Sequence, residues 1–315
     1  MNEKKPKVGI ALSGSSGRAI AHIGVLEVLK ENNIPIDIIV GCSSGALVAV
    51  SYATGTMEIL KEFFHKLTVK KILSLWSVSL NNGGLLHYNR ADSELSKMTK
   101  DLKFEDINHP KLAFVAADLN SGELITLDKG DINKAFKASA AVPGLFETVI
   151  WENRVLVDGG LVNVVPTNVV KNLGADIVIG VNIAATKFIY EKKLPIWKGY
   201  RFLTKLLGLQ FLRQIFSKFA SRIFFQFDSQ SDALVEAEVK SPNSFKVLIQ
   251  ALDLSLKVSE SIKGQEIEAD IMLEPRVKHF GKIETKNINV IYNEGRYNAT
   301  QAVSEIKKLI ENFQK

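Results

Sequence analysis

Ile36-Asp37-Ile38-Ile39-Val40-Gly41-Cys42-Ser43-Ser44-Gly45-Ala46-Leu47-Val48-Ala49-Val50 decides the reading of this chain. An apolar run of strand length meets a Gly-x-Ser-x-Gly pentapeptide, and an apolar segment of helical character follows. Strand, tight turn and helix with a serine at the apex is the layout of a nucleophile elbow. Its glycines let two chain segments approach closely, and the hydroxyl projects at the carboxyl end of the strand over a helix N-terminus. Read alone, the same residues also fit a Ser-rich helix cap after a strand. Cys42, beside the serine, reads as a packing residue.

A serine hydroxyl is a weak nucleophile at neutral pH and needs a proton acceptor. None of the five histidines (22, 65, 87, 109 and 279) follows a strand end. His22 falls within a helical pattern and reads as packing, and the others read as surface groups. Asp158 is the better candidate. It ends the apolar run Val155-Leu156-Val157 and precedes Gly159-Gly160, and strand ends of a parallel sheet line the ligand crevice. A partly desolvated carboxylate there is a stronger base than one in water. The alternative is a plain Asp-Gly turn. A third element is the turn Gly14-Ser15-Ser16-Gly17-Arg18, between a strand over 7–12 and a helix over 18–32. Its successive N–H groups and its cation suit an oxyanion or a phosphate. Ser44, after the nucleophile, adds one more N–H.

The remaining pattern alternates strands with helices. Helical segments are expected over 57–80, 89–99, 132–141, 165–173 and 298–313. Strands are expected over 111–118, 123–127, 149–157 (a pair), 175–181 and 271–273. This predicts an α/β fold, a mainly parallel central sheet with helices on both faces. Composition agrees: 315 residues, 46% hydrophobic and 23% charged, make an ordinary globular chain with a sizeable core. The net charge of +6 is modest, and no nucleic-acid motif accompanies it. The single cysteine rules out an intramolecular disulfide and fits a reducing compartment. Met1–Lys7 lacks the apolar core of a signal peptide, and no run of about 18 apolar residues occurs. The expected location is therefore cytoplasmic. No Cys/His cluster has metal-ligand spacing, so neither metal nor cofactor is expected.

Residues 186–225 differ from the rest, with nine Lys or Arg against one acid, Glu191, and ten aromatic residues. That composition suits a cap over an acyl pocket or a peripheral contact with a membrane surface. The alternative is an amphipathic helix packed on the core. The expected organisation is one domain over 1–315, with a basic, aromatic-rich helical insertion or cap at about 186–235. A dinucleotide-binding reading of the N-terminal turn fails. It needs an acid at the end of the second strand, where this chain has Gly41-Cys42-Ser43, and Gly14-x-x-Gly17 is not its spacing.

Four stretches, in this order, resemble the bacterial patatin-like phospholipases, lipid acyl hydrolases with a Ser–Asp dyad. Leu12 to Leu26 resembles the family's Gly-rich oxyanion block and Gly41 to Gly45 its elbow. Ala138-Ser139-Ala140-Ala141-Val142-Pro143-Gly144-Leu145-Phe146 resembles its helix-ending block, and Asp158 to Pro166 its dyad block. The resemblance implies a three-layer patatin-like architecture, a modified α/β-hydrolase-type fold. It also implies Ser43 as nucleophile, Asp158 as base, and Gly14, Ser15, Ser16, Gly17 and Arg18 as the oxyanion hole or its support. Gly41, Gly45, Gly159 and Gly160 become supporting glycines. One departure stands out: Ser15 and Ser16 occupy positions where the family usually has glycine, which is costly if either φ is positive. The implied function is cleavage of fatty-acyl esters of phospholipids through an acyl-enzyme, without cofactor. A carboxylesterase or thioesterase on the same scaffold, or a lipid-binding protein without catalysis, are the alternatives. Head group, acyl position, chain length and oligomeric state are not written in these motifs.

Overall fold

The computed structural model describes residues 5–78, 84–88, 91–184, 247, 251, 269–281 and 284–313. They belong to one compact unit that takes in 1–184 and 239–315. The cap expected at about 186–235 lies outside the described residues.

In chain order the elements are β1 (Val8–Leu12), α1 (Ile20–Glu31), β2 (Ile38–Cys42), α2 (Ser44–Ala53), α3 (Met57–His65) and α4 (Val69–Leu75). Then come β3 (Ser77–Val78), β4 (Gly84–His87), α5 (Ala91–Thr99), β5 (Lys111–Asp118), β6 (Leu124–Leu127) and α6 (Ile132–Ser139). The rest are β7 (Gly144–Phe146), β8 (Val149–Trp151), β9 (Arg154–Asp158), α7 (Thr167–Asn172), β10 (Ile177–Val181), β11 (Ile271–Leu273) and α8 (Ile288–Phe313). β11, β10, β1, β2 and β5 lie side by side and parallel. β6, β9 and β8 add antiparallel partners at the β5 end. A separate three-stranded sheet joins β3, β4 and β7.

Alternation along the strands sorts the two layers of helices. Ile10, Leu12, Ile39 and Phe114 pack toward α1, α2, α6 and α8, with Leu60 and Phe64 of α3 in the same cluster. Ala11, Val40, Cys42, Ala113 and Val115 face the other way, onto Val169 and Val170 of α7. The expected α/β architecture is present, and four expectations about elements change. The 57–80 segment is two helices and a short strand. Its amphipathic pattern runs on through the break, but the Thr68 hydroxyl accepts the Lys71 N–H at 3.1 Å and starts a new helix. The closing helix begins at Ile288, ten residues earlier than its apolar pattern suggests, because Gly295 lies flat against α1. A Cβ there would sit 2.0 Å from the Ala21 carbonyl oxygen. β4 and β7 are strands that the sequence reading left out. β9, finally, is antiparallel to its neighbour, so Asp158 does not end a parallel strand.

That last difference places the site. β6 pairs with Phe114 to Ala117 of β5, β2 with Lys111 to Val115, and β9 with Ala116 to Asp118. Since β6 shares residues with both, β2 and β9 must lie on the opposite edge of β5 from it, one after the other. They approach from opposite directions and meet tip to tip, Cys42 beside Val115 and Asp158 beside Ala116.

Candidate active site

β2 ends at Cys42, and Ser43 takes φ 53° and ψ −122° before α2 begins. This left-handed, strained backbone at the apex aims the side chain away from the sheet. Glycines make the bend feasible. A Cβ on Gly41 would lie 2.4 Å from Ala46 Cα, and one on Gly45 2.4 Å from the Leu12 carbonyl oxygen.

The Ser43 hydroxyl donates to Asp158 Oδ2 at 2.7 Å. The other oxygen, Oδ1, accepts the Gly160 N–H at 2.8 Å, and Asp158 is 7% exposed. The carboxylate is thereby oriented by one backbone bond and offers its second oxygen to the serine. Gly159 lies flat on β5: a Cβ there would be 2.4 Å from the Val115 carbonyl oxygen. Residues 115 positions apart in the chain thus form a hydrogen-bonded serine–carboxylate pair.

The Gly-rich turn after β1 lies next to this pair because Leu12 and Gly41 are paired in register. Gly14 lies close against Ser43: a Cβ there would be 2.8 Å from Ser43 Cβ. The expected oxyanion residues divide into groups. The Ser15 N–H donates to Ser44 Oγ at 2.9 Å, so a hydroxyl oxygen occupies that donor. Arg18 is buried, and its guanidinium donates to the carbonyls of Lys278 and Phe280 and to Ser15 Oγ. It braces the turn from behind. Ser16, exposed and followed by Gly17, has φ 52°, whereas Ser15 has φ −172°, outside the left-handed region. Only one of the two serines therefore bears the cost of a left-handed conformation. Ser16→Gly is expected to raise stability by about 0.5–1 kcal/mol, the left-handed penalty less the extra freedom of glycine in the unfolded chain. Urea unfolding of the two proteins measures it, and an unchanged or lower midpoint would contradict the strain.

Cys42 is fully buried, and burial, then the Asp158 charge, pushes its thiol well above the ordinary range. It stays neutral and inert beside the serine. His22 is also fully buried. Its Nε2 donates to the Ser13 carbonyl at 2.8 Å, and burial lowers its pKa to about 4, with that bond opposing. His65, His109 and His279 are exposed, as expected of surface groups. His87 is a correction: it is buried in β4, with Nδ1 2.9 Å from Glu147 Oε2. The pairing of β4 with β7 put it there, and no local pattern announced that pairing.

His22 gives a pH prediction. Its folded pKa lies below its unfolded one, so the unfolded chain takes up the proton first as pH falls. Its contribution is complete above about pH 6.5 and is lost down to about pH 4, roughly 3 kcal/mol in all. Midpoints of urea unfolding between pH 7 and 4 should fall more steeply for wild type than for His22→Gln. Parallel curves would refute the assignment.

Two features near the pair were not read from the sequence. Ser139, at the end of α6, accepts the Ser43 N–H at 2.9 Å. Tyr88, Trp76 and Phe146 form an aromatic group with ring centroids 4.7–5.5 Å apart. Burial, then the charge of Asp158, drives the Tyr88 phenol far above its usual pKa, so it stays protonated beside the site.

A sequence model of the patatin-like phospholipases matches residues 10–171, from β1 through the elbow and Asp158 into α7. The chain belongs to the patatin-like phospholipase family. Among relatives of this patatin-like chain is an uncharacterized NTE family protein of Mycobacterium tuberculosis. It is 30% identical over 178 residues, which are 56% of this chain and 49% of that protein. A lysophospholipase of Emericella nidulans is 22% identical over 315 residues, 95% of this chain and 18% of the fungal protein. The solved structure of VipD from Legionella pneumophila aligns at a TM-score of 0.46 and 12% identity, over 96% of this chain and 67% of that one. The patatin-like chain thus spans about half the length of the mycobacterial relative and less of the fungal one.

Proposed function

We propose that this protein is a serine acyl hydrolase that cleaves fatty-acyl esters of lipids. The observation that carries the reading is the 2.7 Å hydrogen bond from Ser43 Oγ, on a strained bend, to a buried carboxylate. In this reading Ser43 is the nucleophile and Asp158 the base. The Asp158 carboxylate takes the hydroxyl proton as Ser43 Oγ bonds to the ester carbonyl carbon. The carbonyl π pair moves to oxygen, and the oxyanion is met by N–H groups of the 14–17 turn and of Ser44. An oxyanion taking the Ser15 N–H displaces the Ser44 hydroxyl that now holds it. Collapse breaks the bond to the alcohol, a lysolipid, which leaves with the proton from Asp158. A water then attacks the acyl-serine and gives its proton to the same carboxylate; collapse breaks the bond from the acyl carbon to Ser43 Oγ, which takes the proton back from Asp158, and the fatty acid leaves.

No helix among the described residues is long and apolar enough to cross a membrane. In this reading lipid is met at a surface, to which the basic, aromatic-rich stretch 186–225 is suited. The experiment is reaction of wild type with a fluorophosphonate probe, with fatty-acid release measured from zwitterionic and anionic phospholipid vesicles. Expected are a single adduct on Ser43 and release of fatty acid. An adduct with turnover of soluble esters or thioesters alone would make it a carboxylesterase or thioesterase. No adduct and no turnover would leave a lipid-binding protein without catalysis.

A further inference from the structure

Where β2 and β9 meet on the edge of β5, the Ser43 bend leaves two main-chain groups without a strand partner: its own N–H and the Val115 carbonyl. One buried hydroxyl serves both. Ser139 Oγ accepts the Ser43 N–H at 2.9 Å and donates to the Val115 oxygen at 2.7 Å. Ser139 is wholly buried. Two residues later the Ala141 carbonyl accepts the Asp158 N–H at 2.9 Å. A single stretch, residues 139–141, thus holds the main chain of both members of the pair. It is well anchored itself. Asp131 Oδ1 caps the start of α6 on the Lys134 N–H at 2.7 Å, and Ala135 and Ala138 are fully buried.

We propose that Ser139 is a positioning residue for the Ser43–Asp158 pair, its hydroxyl fixing where the bend sits on the sheet relative to the carboxylate. The inference rests on the acyl-hydrolase reading of that pair. The chemistry demands a hydroxyl: it alone, at this size, accepts from an amide N–H while donating to a carbonyl. Alanine leaves both groups buried and unmet. The bend can then relieve itself only by moving, and a shift on the order of an ångström between reacting groups costs about 100-fold in rate.

The test compares Ser139→Thr with Ser139→Val, which differ by a hydroxyl in place of a methyl. Three quantities are measured per folded molecule, with the folded fraction taken from near-UV circular dichroism: kcat, KM and the rate of fluorophosphonate labelling of Ser43. Ser139→Val is expected to lose about 30- to 100-fold in kcat and in labelling rate, with KM within about twofold. Ser139→Thr should restore at least about tenfold of that loss. Equal rates for the two variants, each near wild type per folded molecule, would overturn the proposal and leave Ser139 a stability residue. If the Val variant does not fold, Ser139→Cys, a weak donor and acceptor, is read the same way. An intermediate rate supports the proposal and a wild-type rate sinks it. Wild type that neither labels nor turns over would remove the hydrolase reading, and this inference with it. An active wild type with an indifferent Val variant removes this inference alone.

Discussion

In the acyl-hydrolase reading, Ser43→Ala and Asp158→Asn are each expected to lower fatty-acid release by on the order of 10⁴- to 10⁶-fold, and Ser43→Ala to abolish fluorophosphonate labelling. The two fail differently. Alanine removes the atom that bonds to the carbonyl carbon. Asparagine keeps an oxygen that can accept the Gly160 N–H, now at 2.8 Å, and so keeps its place. What it loses is the capacity to take a proton from Ser43. Each effect should approach that of the double variant, because in this reading nucleophile and acceptor act as one unit. Thermal unfolding of both variants should stay close to wild type, since neither change opens a cavity in the main cluster. The buried, neutral Cys42 does not substitute as nucleophile. Turnover by Ser43→Ala at the wild-type rate would refute the assignment.

Gly45→Ala is expected to destabilise the fold by more than about 4 kcal/mol and to eliminate turnover. The added Cβ would stand 2.4 Å from the Leu12 oxygen and 2.7 Å from the Ser13 oxygen, both of them backbone. Neither can yield cheaply. The Ser13 N–H donates to the Val181 carbonyl at 3.1 Å, its carbonyl accepts from His22, and its hydroxyl accepts the Ile183 N–H at 2.9 Å. Relief would pull β1 from β10 or lift the elbow off β1. Gly55→Ala is the control: its Cβ meets nothing within 4 Å, though φ is 71°. It should cost only about 1 kcal/mol, the left-handed penalty. Urea unfolding of the three proteins separates overlap from dihedral strain, and equal losses for the two variants would contradict the steric account.

Part of the site is legible in the sequence alone. Gly41 to Gly45 and Asp158 to Gly160 are legible because each is local: a short glycine pattern reports a short backbone event. The parallel core is legible from Val8–Leu12, Ile38–Cys42 and Ile177–Val181, apolar runs buried on both faces. The direction of β9 is not, because five residues that alternate little read alike either way. The break after His65 hides because apolar periodicity continues through it. Ser139 hides for another reason. Its partners lie 96 and 24 residues away, and inside an Ala-rich helix end it looks like a small packing residue. His87 is the same case in reverse, a polar residue enclosed by a sheet formed from distant segments. The cost of Ser16 was foreseeable as a condition, and its φ of 52° meets that condition where Ser15 escapes it.

The tip-to-tip meeting of β2 and β9 has a temporal side. A growing polypeptide emerges N-terminus first, so the ribosome releases the serine long before the acid. An intermediate holding β1, β2 and β5 would carry its hydroxyl with nothing to receive the proton. In the acyl-hydrolase reading, such an intermediate has no route to an acyl-enzyme until the antiparallel ribbon of β8 and β9 arrives.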